Sequence, residues 1–352
     1  MAPRHHRSPE SPVEHALLAL EALPIAQDPD WQTQLRGVIT SAQQLLSLLE
    51  LQPQDIGYSA AACADFSLKV PMAFARRMQV GNPRDPLLLQ VLARAEEMVE
   101  TAGYSRDPVG ETGAANPGRG IIHKYRGRVL LLVTGACAVN CRYCFRRHFP
   151  YADNQNSRSE WRDALAYIAA DASIEEVILS GGDPLLASDR YLAELVAQIA
   201  AIGHVRRLRI HSRLPVVIPD RVTDGLVDAI CHPQLQTVVV IHCNHANELD
   251  SAVDTALARL AGEGITLLNQ AVLLAGINDS EAALCQLSER LFSAGVLPYY
   301  LHLLDKVQGA AHFDVAEADG KRLMHAVSAR LPGYLVPRLV REIAGGEAKW
   351  SV

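Results

Sequence analysis

No stretch of this sequence approaches the run of roughly 20 apolar residues that a membrane-spanning helix needs. The opening residues, MAPRHHRSPESPVEHALLALEALPIAQDPDW, also lack the apolar core and small-residue cleavage site of a secretory signal. Basic residues are in deficit, with 33 Lys and Arg against 39 Asp and Glu, for a net charge of −6. That balance leaves no electrostatic footprint for nucleic acid or an anionic membrane, so a small-molecule or protein partner is expected. Cysteines are few and odd in number, seven in all. A disulfide framework needs pairs and an oxidising compartment, so the chain is expected to be cytoplasmic and reduced. The glycine pattern G-x-G-x-x-G is missing, which argues against a dinucleotide-binding sheet.

What is present is an ordinary globular composition, 49% hydrophobic and 20% charged over 352 residues. Residues 1–12 are rich in Pro, Arg, His and Ser and read as a frayed tail. Residues 13–120 read as a helical region ending in a turn-rich linker, GYSRDPVGETGAANPGRG. Within it, WQTQLRGVITSAQQLLSLLEL has helical spacing, and DPLLLQVLARAEEMVE places a helix start at Asp85-Pro86. The texture changes at 121–310. RVLLLVTG, EEVILSGG, VRRLRIHS, TVVVIHC, ITLLNQAVLL and PYYLHLLD are short apolar runs with helical stretches between them. Runs of this kind read as buried parallel strands. Six strand–helix repeats predict an α/β fold built as a partial TIM-like (β/α)6 barrel, with a flat doubly wound sheet as the alternative. Residues 311–352 form a short C-terminal segment.

Polar residues stand where these strands end. Cys137 follows the first, Gly181-Gly182-Asp183 the second and Ser212-Arg213 the third; His242 and Asn244 close the fourth. Gln270 lies in the fifth, and Asp305 ends the sixth. The carboxyl ends of barrel strands share one rim, where active sites are built.

Three of the seven cysteines are clustered, in GACAVNCRYCFRRHFPY. Cys63, Cys231, Cys243 and Cys285 are scattered in apolar surroundings and read as small buried hydrophobes. A zinc site could be completed by His148, but the x3–x2 spacing is unusual for zinc. The other reading is an iron–sulfur cube held by Cys137, Cys141 and Cys144, whose fourth iron lacks a protein ligand.

With an aromatic, Tyr143, just before the last cysteine, C-x3-C-x2-C resembles the signature of the radical S-adenosylmethionine (SAM) superfamily. SGGDPL resembles its second motif. The likeness implies a [4Fe-4S] cluster that binds SAM at its open iron, with Gly181, Gly182 and Asp183 beside the methionyl group. HKYRGRVL, CRYCFRRHF, HSRLPVVIP, HCNHANEL, LNQAVLL and PYYLHLLDKVQGAAHF extend the resemblance to the lysine 2,3-aminomutase family. In that family a lysine after a glycine-rich turn holds pyridoxal 5′-phosphate as a Schiff base, and Lys349 stands at its position. By the same resemblance, Lys124, Tyr125 and Arg128 grip the cofactor phosphate. Arg146 clamps the substrate α-carboxylate, and Asp305 with Glu342 holds a distal ammonium. Tyr143, His242 and Gln270 belong to the SAM side.

The resemblance thus implies free lysine as substrate, an external electron donor, and conversion of (S)-α-lysine to (R)-β-lysine. CRYCFRRHFPYADN and LHLLDKVQGAAHF are most similar to the short branch that supplies β-lysine for elongation factor P through a partner ligase. Longer, catabolic-type members continue past the pyridoxal lysine with an assembly tail; this sequence stops at Val352, so homo-oligomerisation is left open. A catabolic or biosynthetic aminomutase, a radical enzyme on another amino acid, and an iron–sulfur scaffold are the rival expectations.

Overall fold

The computed structural model describes residues 30–113, 115–151 and 161–352. The tail expected at 1–12 lies outside them. Nine strands form one sheet among the described residues, and their spatial order follows the chain from first to last. They are β1 (Ile121–Tyr125), β2 (Arg128–Thr134), β3 (Glu176–Gly181), β4 (Arg207–Ser212), β5 (Gln236–His242), β6 (Thr266–Val272), β7 (Leu297–His302), β8 (Arg338–Arg341) and β9 (Trp350–Ser351). From β2 to β8 every pairing is parallel, while β1 and β9 join antiparallel at the two ends.

The six expected apolar runs are β2 to β7. They are apolar because helices cover their outer faces; Val177, Leu179, Leu208, Ile210, Val239 and Ile241 are all buried. The covering helices include Asp189–Ala200, Asp224–Ile230, Ser251–Gly262 and Glu281–Ser293. Each starts at a side-chain cap that accepts a backbone N–H, namely Ser188, Thr223, Asp250 and Ser280. Ile122, Leu130, Ile178, Arg209, Val238, Leu268 and Tyr300 come from seven successive strands yet line one cavity. The sheet therefore curls around that cavity as a partial barrel. The flat sheet is not found.

The N-terminal helical stretches are more broken than their spacing predicts. WQTQLRGVITSAQQLLSLLEL forms two helices, Trp31–Arg36 and Ala42–Leu48. Gly37 and the β-branched Val38-Ile39-Thr40 separate them, and Ile39 instead bridges Val70. Asp85 does cap a helix, accepting from the amides of Leu87 and Leu88, but that helix ends after Leu89. Leu87, Leu88, Val91 and Leu92 are all buried, so this segment has no solvent face to keep a regular helix amphipathic. Among the described residues no helix is long and apolar enough to cross a membrane.

Candidate active site

One cavity of about 540 Å³ opens at the carboxyl ends of the strands. Cys137, Cys141, Tyr143, Cys144 and Arg146 enter it from the loop after β2, and Gly181, Gly182 and Asp183 from the end of β3. His242 and Gln270 come from β5 and β6. Asp305 lies three residues past β7, and Lys124, Tyr125 and Arg128 come from the β1–β2 hairpin. Glu342 and Lys349 flank the turn between β8 and β9. Every residue given a cluster, cofactor or substrate role from the family resemblance thus lines the same space, whereas Asn244 and His148 do not.

The cysteine loop is fastened from outside. Arg142, between the second and third cysteines, is fully buried and points away from the cavity. It donates to both oxygens of Glu97, at 2.8 and 2.5 Å, and to the carbonyl of Ala62. The amides of Asn140 and Arg142 donate to the carbonyls of Lys69 and Gln90. The N-terminal region therefore shapes the loop that carries the thiols. Burial pushes the Cys137 thiol well up and Cys144 to about 11. Half-buried thiols of this kind become thiolates when a metal takes the proton's place, so the donor set suits an iron–sulfur cluster. Among the described residues no three His, Cys, Asp or Glu converge as a single-ion site. A cube asks for a wider spread, because each thiolate takes a different iron.

The glycines have a steric task. A Cβ on Gly182 would lie 2.2 Å from the Ala136 carbonyl oxygen, and one on Gly181, whose φ is +121°, 2.4 Å from that of Thr134. The room they make is thus taken by the backbone leading into the cysteine loop, rather than left for a ligand alone. Asp183 is filled from within. Its carboxylate accepts from the Ser212 hydroxyl at 2.7 Å and from the amides of Arg213, Leu214 and Leu185.

A buried polar network lies on the cysteine side. Arg213 donates to Cys141 Sγ at 2.7 Å, Tyr143 Oη at 2.8 Å, Gln90 Oε1 at 2.7 Å and Glu248 Oε2 at 3.0 Å. The Asn244 amide donates to Tyr143 Oη and Gln90. His242 stacks on Tyr143 and meets its hydroxyl at 3.0 Å, and burial lowers this imidazole to about 3. Gln90 and Glu248 escaped the sequence reading, since nothing local marks them.

An ion-pair chain links the other groups. Arg146, 8% exposed, is gripped by Glu111 at 2.6 and 2.9 Å. Glu111 also meets Lys124 at 3.2 Å, Lys124 meets Glu342 at 2.6 Å, and Glu342 stands 3.9 Å from Lys349 Nζ. Burial would push the Glu111 carboxyl up, but Arg146 and Lys124 more than offset it and hold it low. The chain thus occupies groups assigned to substrate and phosphate with its own counter-charges. Glu111 sits in the stretch read as a linker, and only the folded arrangement reveals it. Burial and then Glu342 raise Asp305 to about 7. Burial lowers Lys349, with Glu342 and Asp305 opposing the shift. Arg128 lies over the Tyr125 ring, with its guanidinium carbon 4.6 Å from the centroid.

Arg209 Nε and His211 Nε2 are buried in this wall with no hydrogen-bond partner among the described residues. An unpaired guanidinium N–H and an unpaired imidazole nitrogen beside Lys124, Arg128 and a depressed lysine suit an anionic aldehyde such as pyridoxal phosphate.

Comparison with known proteins finds relatives among radical SAM enzymes. The model of the Radical SAM superfamily matches residues 131–287. The chain is 51% identical to L-lysine 2,3-aminomutase of Escherichia coli, over 91% of this chain and 93% of that one. Against the protein of the same name from Haemophilus influenzae it is 49% identical, over 91% and 95%. With that of Clostridium subterminale it shares 33% identity over 92% of this chain and 77% of the other.

Proposed function

Since the chain belongs to the lysine 2,3-aminomutase family of radical SAM isomerases, we propose that it moves the α-amino group of free (S)-lysine to Cβ, giving (R)-β-lysine. The observation that carries this reading is the cavity itself. It holds three thiols, a depressed lysine, a buried arginine and a pair of carboxylates together. When bound, the [4Fe-4S] cluster with SAM supplies a 5′-deoxyadenosyl radical, and pyridoxal phosphate carries the migrating nitrogen and spreads the unpaired spin.

The chain's own part is placement. Cys137, Cys141 and Cys144 hold the cluster. Tyr143, His242, Gln270 and the Gly181-Gly182 turn border SAM. Lys349 holds pyridoxal phosphate, with Lys124, Tyr125 and Arg128 toward its phosphate. Arg146 takes the lysine α-carboxylate, because a guanidinium can pair a carboxylate through two N–H groups. Asp305 and Glu342 take the distal ammonium. Lysine entry exchanges partners within the ion-pair chain: its carboxylate competes with Glu111 for Arg146, and its ammonium with Lys124 for Glu342. A glutamate side chain would meet like charge at Asp305 and Glu342 and be rejected. Orientation matters more than acid–base tuning here, since a primary alkyl radical attacks whatever is near.

The product's use is read from the short-branch motifs CRYCFRRHFPYADN and LHLLDKVQGAAHF. We assign it to modification of elongation factor P, through a partner ligase, in the cytoplasm. The test is anaerobic reconstitution with iron, sulfide and pyridoxal phosphate, then SAM, reductant and (S)-lysine, with chiral separation of products. (R)-β-lysine is the expected product. Deoxyadenosine without β-lysine would move the substrate assignment elsewhere. Loss of β-lysyl mass from elongation factor P in a deletion strain checks the pathway.

A further inference from the structure

Lys349 has an uncharged neighbour that the reading above does not use. Its Nζ stands 3.2 Å from Nε2 of His302, the last residue of β7, whereas the nearest Glu342 oxygen is 3.9 Å away. His302 is buried, and its ring packs edge-on against Tyr300 at 5.6 Å. Tyr300 in turn lies under the lysine, with Nζ 5.2 Å from the ring centroid. We infer that His302 is a positioning residue for Lys349: it accepts a hydrogen bond from the amine and aims it into the cavity without supplying a negative charge. The inference rests on Lys349 being the pyridoxal lysine.

The chemistry explains why a neutral acceptor suits this place. An amine attacks a carbonyl only when unprotonated. A carboxylate at 3.2 Å would fix the nitrogen but also stabilise the ammonium form. An imidazole can accept through one nitrogen while remaining neutral. Burial keeps His302 well below the ordinary histidine range, so its lone pair stays available. Charged and titratable groups face the pair. Glu342, Asp305, Arg209 and Lys124 act on Lys349, and Lys349 itself, then His242 and His211, act on His302. The carboxylates and cations around Lys349 oppose one another, and burial tips the balance, so this amine gives up its proton more readily than a free lysine.

The test uses cluster-loaded protein with pyridoxal phosphate, without SAM or reductant, so no turnover intervenes. Attachment is followed by its visible band against pH, and by borohydride fixation at Lys349 read by peptide mass. Wild type should attach the cofactor with a midpoint below the free-lysine range. His302→Gln keeps an acceptor and should retain that midpoint. His302→Leu should slow attachment about three- to tenfold, the worth of one buried hydrogen bond. His302→Glu should move the midpoint upward. Cluster absorbance in each variant shows that the fold is kept. A His302→Leu protein with wild-type rate and midpoint would overturn the inference while leaving the pyridoxal reading intact. Wild type that fixes no cofactor at Lys349 would overturn both.

Discussion

Replacing Asp305 with asparagine should make the protein more stable and the enzyme far worse. Burial, then Glu342, holds this carboxyl up to about 7, against a usual value of 3.8. Between those values the folded chain keeps a proton that the unfolded chain has given up. Stability therefore falls as pH rises through that window and levels off above it. The gap corresponds to about 4 kcal/mol. Asparagine has no proton to hold, so the advantage of Asp305→Asn should be absent near pH 4, grow toward pH 7 and then stay constant. For a folded unit of this size that is about 6 °C in melting temperature, read without lysine or cofactors. Activity should move the other way. With only Glu342 left to face the distal ammonium, a buried charge pair is half broken, and kcat/KM for lysine should fall about a hundredfold. The assays are melting curves from pH 4 to 8 and anaerobic turnover with chiral detection. A melting advantage equal at pH 5 and pH 8 would refute the electrostatic argument. A kcat/KM within about threefold of wild type would refute the substrate assignment.

Three further outcomes follow from the same geometry. Gly182→Ala puts a Cβ 2.2 Å from the Ala136 carbonyl oxygen, with no flexible side chain to yield; iron content after reconstitution and the melting temperature should both drop. Lys349→Ala should keep the cluster and still cleave SAM to deoxyadenosine, yet form no β-lysine and fix no pyridoxal under borohydride; β-lysine from this variant would remove Lys349 from the site. Glu111→Gln leaves Arg146 buried without its counter-charge, a loss of about 3–5 kcal/mol. Added lysine, whose carboxylate can take the vacated place, should restore part of that in a melting assay, and no lysine-dependent recovery would count against Arg146 as the carboxylate clamp.

The barrel strands were legible because their outward-facing residues are buried under helices and so are apolar, as Val177 and Leu179 are in Glu176–Gly181 and Val239 and Ile241 in Gln236–His242. The last two strands were not. RLVR at Arg338–Arg341 is too short and too charged to stand out, and Trp350–Ser351 is exposed and two residues long. The cysteine spacing could be read because its three ligands are close in sequence. Glu342 showed only as an isolated acid until the family resemblance gave it a role. Glu111, Gln90, Glu248 and His302 gave no local signal, because each acquires its partner across the fold: Glu111 is 35 residues from Arg146, and Gln90 is 123 from Arg213.

The clamp of Arg142 on Glu97, Ala62 and Phe66 bears on how this protein survives damage. None of those groups lines the cavity. The curve of the thiol-bearing loop is therefore kept by atoms that no iron touches. A loop held in this way should keep its curve if the cluster is lost, so that reloading iron and sulfide would need no refolding. An enzyme whose chemistry depends on an oxygen-labile part has that part seated in a socket that does not depend on it.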